Sequence, residues 1–282
     1  MGIPEVVAGP LRARLDGSLG PRISSLKVAG LGEMLGSTDF RLEGPQGPVP
    51  LLGGHRLWSA PETRNETYLP YTAVRIATST TSVSAASDDP RLPFEKSLTV
   101  TAADDALVVD HLITNRTEKR RTVAAWAITM VPAGGEIVLP TPEPVAVDAD
   151  LQARLTMVLW EYTDVTDPRL RIRPEGIGLR VEGAKPIKVG VPNRQGWIAY
   201  RRAGHLLVKW TSVQVQAADY ADLGASVQGF VGHGFGEIET LGPLHGLGPG
   251  ESISHREVWQ VLRTDGDGFE APNRLPKPGL LA

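Results

Sequence analysis

Two glutamates set two positions apart, Glu237 and Glu239, stand in the run Glu237-Ile238-Glu239-Thr240-Leu241. Residues two apart share one face of a β-strand, so this spacing predicts two carboxylates on one surface, either able to take or give a proton. A second segment, Gly53-Gly54-His55-Arg56-Leu57-Trp58, sets a histidine, an arginine and an indole beside paired glycines. Trp126 lies in the apolar run Val123-Ala124-Ala125-Trp126-Ala127, and Lys209 lies between Val208 and Trp210. If Val208 and Trp210 face a core, Lys209 is turned the other way, toward a ligand. His233 sits in Gly232-His233-Gly234-Phe235-Gly236, a glycine-rich loop that opens a strand and not a helix, which removes phosphate cradling at a helix N-terminus.

Other chemistries are excluded by what the chain lacks. With no cysteine there is no thiol nucleophile, disulfide or thiolate metal site. The six histidines show neither HExxH nor another zinc spacing, so no metal is expected. There is no GxSxG nucleophile turn. Gly30-Leu31-Gly32-Glu33-Met34-Leu35-Gly36 carries its third glycine one place late for a dinucleotide loop and no βαβ unit follows, so no cofactor is expected. The loop Tyr162-Thr163-Asp164-Val165-Thr166-Asp167-Pro168-Arg169 reads as a polar turn.

The elements that must hold these residues are strands. Leu11, Ala13 and Leu15 alternate with Arg12, Arg14 and Asp16, and Leu107, Val109, His111 and Ile113 alternate with their neighbours. Leu98 to Thr101, joined to the latter run across a turn from Ala102 to Ala106, predicts a hairpin. The 31 glycines and 23 prolines fall mostly between such runs, and sustained helical periodicity is nearly absent. The expected class is all-β, a sandwich of large antiparallel sheets. A single domain is expected over 1–268, followed by an extended tail over 269–282. The net charge of -3 argues against nucleic acid or an anionic membrane surface as partner. No apolar stretch reaches membrane-spanning length and no signal peptide is evident, so a soluble, cytoplasmic protein is expected.

Four segments, taken in order, resemble the galactose mutarotase (aldose 1-epimerase) superfamily, and most closely a bacterial branch of it. They are Gly53 to Glu62, Ile113 to Lys119 with Val123 to Ala127, Asn193 to Tyr200 leading to Leu207-Val208-Lys209, and Glu237 to Leu244 with Leu247 to Ser252 and His255 to Trp259. The resemblance covers nearly the whole chain. It implies the galactose-mutarotase-like β-sandwich with a small-molecule carbohydrate as ligand, and leaves the oligomeric state open.

Mutarotases exchange the two anomers of a free aldose. A base takes the anomeric hydroxyl proton while an acid protonates the ring oxygen. The resemblance implies Glu239 as base, with Glu237 the second choice, Arg56 as the group that orients the sugar, and His55 beside it. Trp58, Trp126, Lys209 and His233 are expected as substrate-binding residues from their own setting, Trp126 either offering an indole face to a sugar or packing in the core. The family's acid histidine belongs about thirteen residues past the "TN" turn, where this chain has Trp126-Ala127-Ile128-Thr129. An acid would then have to come from His55, His111, His233 or His255. The expected function is aldose-1-epimerase-like activity on a free or modified sugar, and the alternative is a sugar-binding protein without catalysis.

Overall fold

A computed structural model describes residues 4–87, 89–142, 151–213, 216–264 and 279. The proposed tail over 269–282 lies, but for Gly279, outside the described residues. Two large antiparallel sheets dominate, as alternation predicts. The first runs in the order Glu5–Ala8, Leu11–Asp16, Arg22–Val28, His55–Ala60, Arg121–Pro132, Phe235–Leu241, Val227–Gly232, Ile187–Val191 and Val158–Leu159. The second is centred on His205–Thr211, Ser252–Arg263 and Ala106–Asn115. The helix Arg64–Thr67 is a single turn, and no helix among the described residues is long and apolar enough to cross a membrane.

The main core lies between the sheets. Leu11, Ile23, Leu57, Ala125 and Ile238 of the first sheet pack with Leu98, Val109, Ile198, Leu207 and Trp259 of the second. Apolar clusters cover both outer faces as well. Trp58, Trp126, Ile128, Met130 and Phe235 gather on the outer side of the first sheet, and Val108, Trp197, Val208, Trp210 and Val258 on that of the second. Strands in the middle of these sheets are therefore buried on both faces, and Arg121–Pro132 shows nine consecutive buried residues from Val123 to Val131.

The expected hairpin forms with a tighter turn. Phe94–Ala103 and Ala106–Asn115 stay paired to Ala103↔Ala106, leaving only Asp104 and Asp105 in the turn, with Asp104 at φ 51°. The motif turns prove to be one structural unit. Asn115, fully buried, donates its amide to the carbonyls of Lys119, Leu247 and Gly248 at 2.8, 3.0 and 3.1 Å and accepts from Thr117. It thereby ties the "TN" turn to the Gly248-Pro249-Gly250 turn. Ahead of Arg56, Gly54 has φ +73°, and a Cβ there would stand 2.2 Å from the Ile23 carbonyl oxygen, so only glycine fits.

Candidate functional site

Three neighbouring strands, His55–Ala60, Arg121–Pro132 and Phe235–Leu241, form the middle of the first sheet, paired so that Arg56, Ile128 and Glu239 lie in one row. Their alternate residues go to opposite faces. Arg56, Trp58, Trp126, Ile128, Phe235, Glu237 and Glu239 line a cavity of about 360 Å³ on the outer face, a size suited to a small molecule. Leu57, Ala125 and Ile238 from the same strands enter the core between the sheets.

The cavity floor carries two ion pairs. Glu239 accepts from Lys188 Nζ at 2.9 Å and from the Trp126 indole at 2.7 Å, both on Oε2. Glu237 accepts from Arg56 Nη2 at 2.9 Å. Glu239 is fully buried, yet among the described residues its Oε1 has no hydrogen-bond partner, and neither do Arg56 Nε and Nη1. Burial pushes the Glu239 carboxyl up, the Lys188 ammonium pulls it back and Glu237 adds to the rise, leaving it at about 7. A carboxyl so placed exchanges protons readily near neutrality.

Aromatic rings make the walls. Trp58 and Trp126 meet edge to face at 5.7 Å, and the Arg56 guanidinium lies 4.3 Å over Trp58. Lys188 Nζ sits 4.8 Å from the Trp126 ring and 4.6 Å from Trp160. Tyr68 donates to Glu62, and burial raises the Tyr162 phenol well above its ordinary range. His233, exposed at the rim, takes φ 54° in the turn joining Val227–Gly232 to Phe235–Leu241 and stacks on Phe40 at 4.0 Å.

Two expected members lie elsewhere. His55 and Lys209 are absent from the cavity lining and belong to a sealed polar cluster between the sheets. His55 precedes Arg56 on one strand, so the two side chains must point to opposite faces. Lys209 belongs to the second sheet, and Val208 and Trp210, expected to face the core, instead cover that sheet's outer side, which turns Lys209 inward.

The sealed cluster is a directed chain of hydrogen bonds. Lys209 Nζ lies 2.8 Å from Glu257 Oε1 and donates to Thr129 Oγ1 at 2.9 Å. Because His111 Nδ1 meets the His255 carbonyl at 2.8 Å, it must carry hydrogen. In the neutral ring its Nε2 then accepts from His55 Nε2 at 2.8 Å, and His55 Nδ1 accepts from Thr129 at 2.8 Å. Burial holds all three histidines neutral, His255 down to about 3. Burial opposes ionisation of Glu257, but the Lys209 ammonium overcomes it and holds the carboxyl far below the usual range. One donor atom from each of His55, His111 and Glu257 lies within 4.8 Å of the others, a spacing that suits a metal. Lys209 already supplies the cation at that point.

Sequence reasoning missed Lys188, Tyr162, Glu62, Tyr68 and Phe40, all of which line the cavity. Lys188 had a usable signal: it is the single charge within the strand Ile187–Val191, sequence Ile-Lys-Val-Gly-Val. In the loop read as a polar turn, Asp164 and Asp167 do hold turns, accepting from Thr166 and Arg169, while Tyr162 reaches the cavity.

No protein-family profile matches the chain, and no curated protein matches it in sequence. Its fold, however, is that of the aldose 1-epimerase and galactose mutarotase-like structures. A protein of Escherichia coli K12, provisionally described as an aldose 1-epimerase, superposes with a TM-score of 0.59 at 11% identity, covering 93% of this chain and 99% of that one. A galactose mutarotase related enzyme from Lactobacillus acidophilus gives 0.57 at 10% identity over 94% and 99% of the two chains. A galactose mutarotase-like protein from Lactobacillus casei gives 0.54 at 12% identity over 93% and 100%.

Proposed function

We propose that the cavity binds a carbohydrate and that the protein exchanges the anomers of a free or modified sugar, as an aldose 1-epimerase does, with Glu239 as general base. The observation that carries this reading is the Glu239 carboxyl, fully buried on the cavity floor, with Oε1 free to accept a proton and its ionisation brought near neutrality. Trp58 and Trp126 offer flat apolar surfaces against which the C–H face of a sugar ring stacks. Arg56 has two nitrogens, Nε and Nη1, without a partner among the described residues and able to donate to hydroxyls. The likeness in fold to proteins described as epimerases and mutarotases supports the same reading.

Polarimetry of freshly dissolved α-D-glucose and α-D-galactose tests it. The protein is expected to speed the approach to equilibrium, and Glu239→Gln to lower that rate by about 10²–10⁴-fold, the usual worth of a general base. Binding is expected to survive, because the amide still hydrogen-bonds a hydroxyl. A second reading, sugar binding without catalysis, is favoured by one observation. The cavity face of Arg121–Pro132 presents Ala124, Trp126, Ile128 and Met130, with no acid where the resemblance implies a histidine. Calorimetric binding of an aldose without any acceleration of mutarotation would establish it.

A further inference from the structure

The epimerase reading leaves one proton without a donor. Glu239 takes the proton of the anomeric hydroxyl, but a second must reach the ring oxygen as the C1–O5 bond breaks. His55, His111 and His255 are closed into the cluster between the sheets. Arg56 holds its protons at every relevant pH. Tyr68 is engaged with Glu62. His233 stands at the exposed rim, stacked on Phe40.

We propose that Lys188 is the acid and that Lys188 and Glu239 work as one proton-exchanging couple; this rests on the epimerase reading above. Lys188 rises from the strand Ile187–Val191 onto the cavity floor. Its side chain is 6% exposed and its Nζ lies 2.9 Å from Glu239 Oε2. The rings of Trp126 and Trp160, at 4.8 and 4.6 Å, hold the ammonium in place by cation–π contact. An ammonium carries three hydrogens, of which the ion pair uses one.

The step balances. Glu239 Oε1 accepts the proton of the anomeric hydroxyl, and the O1–H electron pair becomes the second bond of a C1=O1 carbonyl. The C1–O5 pair leaves with O5, which takes a proton from Lys188 Nζ. The open-chain aldehyde turns about C1–C2, and the reverse transfers close the ring on the other face. Lys188 then regains the proton from the C5 hydroxyl and Glu239 gives its proton to O1. When the sugar departs as the aldehyde, rotation of the Glu239 carboxyl brings its proton to the side facing the neutral Lys188 amine, 2.9 Å from Oε2, and its transfer to Nζ resets the pair.

The absence of cysteine permits a sharp test. Lys188→Arg keeps the charge and an ion pair but gives up no proton, so it is expected to lower turnover of α-D-glucose or α-D-galactose by about 10²–10⁴-fold. Calorimetric sugar binding should persist. Lys188→Cys should be equally slow, and alkylating its thiol, the sole one in the chain, with 2-bromoethylamine rebuilds an amine of lysine's length. Recovery of turnover after alkylation is the expected result. If Lys188→Arg turns over as the parent does, or alkylated Lys188→Cys folds, binds sugar and stays slow, the acid assignment is wrong while the epimerase reading stands. If the parent protein accelerates neither sugar, the epimerase reading itself falls and takes the couple with it.

Discussion

Two clusters of buried charge stand back to back across the first sheet, and they differ in one respect. Between the sheets, Lys209, Glu257, His55, His111, His255, Thr129 and Thr240 satisfy one another in a closed chain. On the outer face, Glu239, Lys188, Glu237 and Arg56 are also paired, but beside a cavity and with Glu239 Oε1 and two Arg56 nitrogens unpartnered among the described residues. Each cluster includes an indole that donates to a carboxylate at 2.7 Å, Trp259 to Glu257 and Trp126 to Glu239. The same residue types thus serve two ends. A saturated network fixes how the sheets pack, whereas one with spare valence beside open space is equipped to meet a ligand.

The largest contrast should appear in stability. Lys209→Met strands the Glu257 carboxylate in the core, and breaking such a buried pair is expected to cost about 3–5 kcal/mol in chemical denaturation. Lys188→Met should cost markedly less, because Glu239 already sits at about 7 and can take up a proton. Equal losses in the two variants would erase the distinction drawn here. A smaller effect belongs to the cavity alone. With Glu239 as base, kcat/KM for mutarotation should fall about tenfold for each pH unit below about 7; a rate flat down to pH 5 would remove Glu239 from that role.

The smallest effect belongs to the sealed cluster. Its three histidines are held below their ordinary 6.5 in the fold, so below that pH the unfolded chain binds more protons and stability falls as the medium is acidified. Each contributes at most about 1.4 kcal/mol per pH unit. His255→Gln should therefore flatten the dependence of unfolding free energy on pH between about 6 and 4, and an unchanged slope would show that His255 does not resist protonation in the fold.

Alternation made the sheets legible: Leu11, Ala13 and Leu15 all enter the core, as do Leu107, Val109 and Ile113. The same rule, applied to His55 and Arg56, separates them by face, and Arg56 went to the cavity. Lys209 was harder to place. Its strand is buried on both sides, and where both faces are apolar the pattern does not say which one meets the partner sheet. Glu237, Glu239, Trp58 and Trp126 were legible as residues of one surface because their strands could be read, and all four line the cavity. Lys188 was overlooked because its strand lies outside the segments that carry the resemblance, and its ion pair with Glu239 joins residues 51 positions apart. Nothing local in the sequence announces that contact.

The two indole N–H groups give the most direct measurement, since each reports one carboxylate. In ¹⁵N-labelled protein, with Trp126→Phe and Trp259→Phe variants assigning the signals, the account predicts that titration through pH 7 moves the Trp126 indole resonance and leaves that of Trp259 fixed. Addition of D-glucose or D-galactose should again shift Trp126 and spare Trp259. A Trp259 resonance that follows pH or sugar while Trp126 stays still would place the responsive chemistry between the sheets and contradict the account.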